Sequence, residues 1–282
     1  KIDIASPVLD SIYKKHQKKS WLAEGDPFVF ETFEKEKNRL NNLFKNSGIY
    51  HFNPGSIGYW TDSLDLPKDK FITLKIPERL VTAGDSVYFK PYKVQRFRDV
   101  KVYIDFESKK ARETALDSAS YEGITYYSPN KLKYKPKRLD DALFIYPDSV
   151  FRLNDVNLTL SHLRKTQNFK AAMNIDLIEK DDESLDAEIY LKSNKKYAIT
   201  FDLDATTSNT KPFGILGKSS FIDRNVFRGT EIFEVSFQGS LLNVSQDAGI
   251  EDSGFFNAWE FLANTSLSIP RIFFPFNTDK LI

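Results

Sequence analysis

Ala258-Trp259-Glu260-Phe261-Leu262-Ala263-Asn264-Thr265-Ser266-Leu267-Ser268-Ile269 alternates with period two. Trp259, Phe261, Ala263, Thr265, Leu267 and Ile269 share one face, and Ala258, Glu260, Leu262, Asn264, Ser266 and Ser268 take the other. That spacing is the pattern of a β-strand with one face in an apolar medium. A soluble antiparallel sandwich alternates in the same way. Length weighs toward the barrel without removing the sandwich: the run extends over about 15 residues, well past the ~5–6 of an ordinary globular strand. Two further runs repeat the pattern. Tyr197, Ile199, Phe201 and Leu203 alternate with Ala198, Thr200, Asp202 and Asp204, and Phe233, Val235 and Phe237 alternate with Glu234, Ser236 and Gln238. Segments of about ten residues with one apolar and one polar face fit the strands of a barrel in a bilayer.

Upstream the composition changes. Roughly a third of residues 1–195 are charged, against about a fifth of 196–282. The charged part contains the same series of elements twice. Ser6-Pro7 starts a helix with Val8, Leu9, Ile12, Tyr13 and His16 on one face, and Gly25-Asp26-Pro27 breaks it. A second helix places Phe30, Phe33, Leu40, Leu43 and Phe44 on one side. Its charges, Glu31, Glu34, Glu36, Lys37 and Arg39, lie mostly on the other, and Asn46-Ser47-Gly48 closes it with a left-handed cap. Strands are predicted at Ile49–Phe52, Gly58–Trp60 and Lys70–Ile76. The second copy opens with a strand over Val94–Phe106, with Val100, Val102 and Ile104 facing one way. A polar stretch, 107–135, interrupts. A short helix begins at Pro136 with Leu139, Ala142 and Leu143 inward, and a helix with Leu153, Val156, Leu160 and Leu163 follows. Phe169–Ile178 and Leu185–Leu191 are strands joined by the charged turn Glu179–Glu183. Asp26-Pro27-Phe28-Val29-Phe30 parallels Asp148-Ser149-Val150-Phe151-Arg152, so the repeat is one of residues as well as order. The first copy is expected to lack most of its opening strand.

The whole chain has 282 residues, 40 basic and 39 acidic side chains, and a net charge of +1. Such a balance gives no support to nucleic-acid binding or to a basic membrane arm. Cysteine is absent, which removes disulfides, thiolate metal sites and cysteine nucleophiles. No apolar run is long enough for a membrane-spanning helix, and barrel strands are not excluded by that. Position 1 is Lys, which points to a processed or trimmed start.

Between the first two alternating runs lies Phe213-Gly214-Ile215-Leu216-Gly217-Lys218-Ser219-Ser220-Phe221-Ile222-Asp223-Arg224-Asn225-Val226-Phe227-Arg228-Gly229-Thr230-Glu231. It resembles the start of the barrel in outer-membrane assembly factors of the BamA/TamA type. These carry POTRA domains followed by a bacterial surface antigen barrel, and the resemblance is nearest to TamA-like proteins of Bacteroidetes. Leu185–Leu191 resembles the closing strand of the last POTRA domain. Asp223, Arg224, Asn225, Phe227, Arg228 and Gly229 resemble the turn after the first barrel strand, and Phe256–Trp259 and Ile269-Pro270-Arg271 resemble strand boundaries. The resemblance implies α+β POTRA domains, each strand–helix–helix–strand–strand, followed by the first antiparallel strands of a transmembrane β-barrel. It divides the chain into a POTRA-like domain at 1–81, a membrane-proximal POTRA domain at 90–194 with an inserted loop at 107–135, and an incomplete barrel at 195–282. Residues 196–282 supply only about three or four strands, so the chain reads as an excerpt.

The resemblance further implies an outer-membrane protein assembly or translocation factor in the bacterial outer membrane, its POTRA domains in the periplasm, with no enzymatic activity. Its partners would be unfolded outer-membrane proteins or a TamB-like periplasmic protein, together with outer-membrane lipid and no nucleic acid. The alternative is a phospholipid conduit to the outer membrane with a periplasm-spanning partner. A sheet with an open edge accepts an extended polypeptide through backbone hydrogen bonds. The expected edges are Ile49, Tyr50, His51 and Phe52, and Phe169, Ala171, Met173 and Ile175; Tyr197, Ile199, Phe201 and Leu203 form the expected gate strand.

Catalytic, cofactor and metal sites are not expected. His16, His51 and His162 are scattered without ligand spacing. Gly217-Lys218-Ser219 looks like the tail of a phosphate loop but lacks the first glycine, Pro212 standing there. Asp181, Asp182 and Glu183 suit a solvated turn better than a cation site. The basic run Lys131–Arg138 suits either a solvated loop or an anionic partner. Arg224 and Arg228 are expected to pair with Asp223 or Glu231 in a structural role.

Overall fold

The computed structural model describes residues 1–27, 29–61, 72–106, 117–171, 173–207, 213–243 and 255–270. The first unit begins with β1 (Ile2–Ile4), α1 (Pro7–His16) and α2 (Phe30–Lys45), and ends with β2 (Gly58–Thr61) and β3 (Ile72–Ile76). Its sheet runs β1-β3-β2, with β1 parallel and β2 antiparallel to β3. The opening strand expected to be largely missing is therefore present as three residues, paired from Ile2 with Leu74 to Ile4 with Ile76. Leu9 and Tyr13 of α1 meet Leu40 and Phe44 of α2 over Leu74 and Ile76. Gly48 adopts φ +97°, and the Ile49 N–H returns to the Phe44 carbonyl at 3.1 Å, closing α2 as its sequence predicts.

Three expectations fail in this unit. Ile49–Phe52 is a turn rather than a strand, because Ile49 and Phe52 are driven into the core behind the helix cap. Phe30, at the first position of α2, is 70% exposed, since the helix begins beyond the reach of the core. Glu36, assigned to the charged side, is 0% exposed. It lies three residues after Phe33 and four before Leu40, on the buried stripe. Its carboxylate accepts from Arg39 Nε and Nη2 at 2.8 and 2.7 Å, from Ser20 Oγ at 3.0 Å and from Trp21 N at 3.1 Å.

A hairpin, β4 (Arg79–Ala83) and β5 (Ser86–Lys90), stands between the units. The second unit then comprises β6 (Phe97–Ile104), β7 (Asp117–Tyr121), β8 (Ile124–Ser128), α3 (Pro136–Asp140), α4 (Leu153–Lys165), β9 (Asn174–Glu179) and β10 (Leu185–Leu191). The sheet order is β7-β8-β6-β10-β9, with β6 parallel to β10 and β9 antiparallel to it. Strands β6-β10-β9 thus repeat the arrangement of β1-β3-β2. Part of the stretch expected as an inserted loop is instead a hairpin that widens the sheet. Glu122 and Gly123 both take positive φ (47° and 77°), which matches the twist of a two-residue hairpin turn. Residues 107–116 lie outside the described residues. Val100, Val102, Ile104, Ile124, Tyr126, Leu139, Leu163, Ala187 and Ile189 fill the core.

The last sheet is a meander of β11 (Tyr197–Thr206), β12 (Phe213–Arg224), β13 (Ile232–Asn243) and β14 (Ala258–Ser268), each antiparallel to the next. β12 was not resolved by alternation, because Gly217, Ser219 and Ser220 interrupt it; pairing on both sides holds it in register. The turn assigned after the first of these strands consequently follows the second. β14 has 11 residues, shorter than its alternation implied, and Arg271 lies outside the described residues.

Candidate functional site

The register of the last sheet sorts its side chains into two faces. Ile199, Phe221, Val235 and Thr265 lie in one row, Phe201, Ser219, Phe237 and Ala263 in the next, and Leu203, Gly217, Gly239 and Phe261 in a third. On this face Tyr197, Ile199, Phe201, Leu203, Phe221, Phe237, Leu241, Trp259, Phe261 and Leu267 are all exposed, Phe201 at 80% and Phe261 at 79%. Gly239 leaves room for the Phe261 ring, which a Cβ there would meet at 3.3 Å. The opposite face carries Thr200, Asp202, Asp204, Lys218, Glu234, Gln238, Glu260 and Asn264. No described element covers the apolar face.

Magnitudes distinguish the media this sheet can occupy. Burying such side chains is worth about 1.5–3 kcal/mol each, so leaving this set in water forfeits on the order of 15 kcal/mol. That is comparable with the whole stability of a domain, about 5–15 kcal/mol. Strands of 10 to 12 residues, tilted as in barrels, span a hydrocarbon layer of roughly 25–30 Å. The sheet is built for a hydrocarbon medium on one face and water on the other. Among the described residues no helix is long and apolar enough to cross a membrane, which says nothing of strands.

Sheet edges remain. β11 pairs only with β12 among the described residues. The expected gate residues Tyr197, Ile199, Phe201 and Leu203 sit on it, with their side chains on the apolar face and the backbone forming the edge. β9 is one edge of the five-stranded sheet, with β7 at the other. Of the edge residues expected there, Ile175 lies on the strand, whereas Phe169 and Met173 are core and Ala171 precedes it. The residues expected as an edge in the first unit arrive at the same place. Tyr50, His51 and Phe52, with Lys45, Asn53 and Pro54, face Leu177 and Glu179 across an open groove of about 620 Å³. The edges of the first unit's sheet are β1 and β2, and on β2 Trp60 is exposed with Lys75 Nζ 5.2 Å from its ring centre.

The groove floor is fixed by charge. His51 Nε2 lies 2.8 Å from Glu179 Oε1, which requires the proton on Nε2. Burial pushes the His51 pKa down, the bond to Glu179 opposes that, and Arg79 and Lys90 reinforce the lowering. Lys90 at the end of β5 and Lys93 just after it both bind Glu183, whose carboxyl they pull down to about 2. The turn read as solvated charge is thus tied to the segment that follows the β4–β5 hairpin. Tyr50 stacks edge-on against Phe151, and Asn46 Oδ1 accepts from Asn154 N at 2.8 Å.

The motif Asp223–Gly229 is a clasp. Asn225, Arg228 and Thr230 hold positive φ (58°, 64° and 67°). Arg228 Nη2 donates to the Leu132 carbonyl at 2.7 Å, Asn225 Nδ2 to that of Lys133 at 3.0 Å, and Arg224 Nη1 to that of Lys195 at 3.1 Å. Both arginines thus bond backbone carbonyls, a structural role. Lys135 N–H donates to Arg228 O at 2.8 Å, and Asn168 Nδ2 to Thr230 O at 2.6 Å. Burial raises the Asp105 carboxyl, but bonds from Lys133 Nζ and Ser193 N–H outweigh it and hold the pKa low. Sequence reasoning missed Asn168 and Asp105, whose partners lie 62 and 88 residues away; only the Asn-x-x-Arg-Gly turn chemistry hinted at a special backbone there. Among the described residues no group of three or more His, Asp or Glu is placed to hold a metal ion.

No protein-family model matches the chain, and no curated protein does. Solved structures with a similar layout include BamA from Haemophilus ducreyi lacking POTRA domains 1–3, at 9% identity and TM-score 0.49, over 86% of this chain. CdiB from Acinetobacter baumannii is similar at 11% identity and TM-score 0.40, again over 86% of this chain. The N-terminal domain of Omp85 from Thermosynechococcus elongatus overlaps at 11% identity and TM-score 0.22, over 69% of this chain and 96% of its own length. The chain spans 38% of the length of the BamA and CdiB structures it resembles.

Proposed function

We propose that the chain is part of an outer-membrane protein assembly or translocation factor, with two POTRA domains in the periplasm and the opening strands of a membrane barrel. The observation that carries this is the last sheet, whose long strands leave one face uncovered and apolar, joined directly to two strand–helix–helix–strand–strand units. The domains are taken as 1–81, 90–194 and 195–282. Unfolded outer-membrane proteins are taken up by strand addition at β9, beside the groove formed with Tyr50, His51 and Phe52. Strand addition needs only backbone groups and tolerates many client sequences. The β11 edge offers the same chemistry at the membrane. A TamA-like member working with a TamB-like periplasmic protein is the finer form of this reading. A photo-crosslinking residue at Ile175 tests it: adducts with newly made outer-membrane barrel proteins are expected. Absence of such adducts, with barrel levels unchanged on depletion of the protein, would sink the proposal.

A further inference from the structure

From Lys131 into the first turn of α3 the chain carries Lys131, Lys133, Lys135, Lys137 and Arg138 with no carboxylate among them. Leu132 and Tyr134 are buried, whereas Lys131, Lys133, Lys135 and Lys137 are exposed. With Leu132 and Tyr134 anchored in the core, Lys131, Lys133 and Lys135 are left outward, and Lys137 follows exposed on the first turn of α3. Lys133 is bound to Asp105. Among the described residues no carboxylate lies within ion-pair distance of Lys131, Lys135 or Lys137.

The position of this row is fixed by the turn clasp. The backbone of 132–135 is bonded to Asn225 and Arg228, at the end of the apolar sheet. From the same turn Phe227 projects at 60% exposure, and Lys196 Nζ lies 5.2 Å from the Tyr197 ring centre. Aromatic side chains at the rim of an apolar band, with lysines beyond them, match the chemistry of a membrane–water boundary.

We propose that Lys131, Lys135 and Lys137 bind anionic phospholipid headgroups in the leaflet facing the two soluble units, fixing the depth and orientation of the second unit. This rests on the sheet being in a membrane, which the test checks separately. The chain lacks cysteine, so Phe227→Cys and Phe201→Cys each give one labelling site. Each variant of the full chain is labelled with a fluorophore and reconstituted with brominated phosphatidylglycerol or brominated phosphatidylcholine. At position 201 both lipids are expected to quench alike, and failure of either to quench would overturn the membrane reading itself. At position 227 phosphatidylglycerol is expected to be preferred at low salt. Lys131→Gln, Lys135→Gln and Lys137→Gln, added to Phe227→Cys, are expected to weaken that preference by up to about fivefold each. Quenching at 201 with no preference at 227, or a preference that survives the three substitutions, would overturn the headgroup proposal alone. Binding of soluble polyglutamate to the lysines without preference for phosphatidylglycerol would overturn it in favour of an acidic protein partner.

Discussion

Asn168→Ala tests whether the second unit and the membrane sheet are held as one body. Asn168 is buried, and its Nδ2 donates to Thr166 O at 2.8 Å and to Thr230 O at 2.6 Å. Both acceptor residues are buried, so the substitution leaves two carbonyls without their donor, at about 1–3 kcal/mol each. Its Oδ1 has no partner among the described residues, and losing that atom returns part of the cost. The net expectation is about 2–3 kcal/mol, spent where the turn meets the unit. Since 1.4 kcal/mol is a factor of ten, amides protected only by this contact should exchange roughly 30- to 100-fold faster. The diagnostic amides are Lys135 N–H, bonded to Arg228 O, and Asn225 N–H, bonded to Glu231 O. Those in the centre of the five-stranded sheet, such as Val102 and Ile189, should be unchanged, because local opening does not require them. Native-state hydrogen exchange reads both sets at once. Unchanged rates at 135 and 225, or equal acceleration at 102 and 189, would refute a local clasp.

Glu36 sets an acid limit on the first unit. Burial raises its pKa, but Arg39, Trp21 and Ser20 together take it below the ordinary 4.5; a depressed folded pKa gives stability present above the unfolded value and lost as pH falls. Urea midpoints between pH 7 and pH 3 should fall for the native chain and flatten for Glu36→Gln, which starts lower. Gly48→Ala should cost about 2–4 kcal/mol in thermal or urea melts, since it combines φ +97° with a Cβ 2.6 Å from Val94 Cγ1 and 2.9 Å from Val150 Cγ1. Phe201→Arg on the apolar face should cost about 2–4 kcal/mol of membrane stability and deplete the carbonate-resistant membrane fraction, whereas Thr200→Arg on the polar face should not. Equal behaviour of the two would remove the sidedness of the sheet.

How far the sequence could be read depended on whether local pattern or distant contact decided each element. Val100, Val102 and Ile104 alternate because β6 has a core face, and that is local information. Ile49–Phe52 has strand-like residues but lies just past a helix cap, where the return of the Ile49 N–H to Phe44 outweighs propensity. Glu36 shows the converse: its spacing placed it on the buried stripe, and its charge suggested otherwise until Arg39, Ser20 and Trp21 were seen around it. The hairpin of β7 and β8 was legible in Glu122-Gly123, a turn signal obscured by the polar residues before it. At the candidate site, the apolar strands were visible by period. The convergence of Tyr50–Phe52 on β9 was not, because it arises from packing between two units.

That convergence bears on how the two edges relate. β10, the partner of β9, ends at Leu191, and β11 begins at Tyr197. A free linker of this length would let the membrane sheet swing against the unit. Here it is bonded almost residue by residue: Ser193 N to Asp105 Oδ1 at 2.7 Å, Asn194 N to Asn168 O at 2.8 Å, Lys195 O to Arg224 Nη1 at 3.1 Å and Lys196 O to Arg224 N at 2.8 Å. At about 0.5–1.5 kcal/mol for a neutral bond and more for those to charged groups, the linker is held by several kcal/mol. The same Asn168 and Arg224 also engage the β12–β13 turn region, so loosening the linker means loosening the clasp. On the function proposed above, a polypeptide strand added at β9 would therefore stand at a fixed angle and distance from the β11 edge, and its movement between them would have to come from the polypeptide itself or from opening of the sheet.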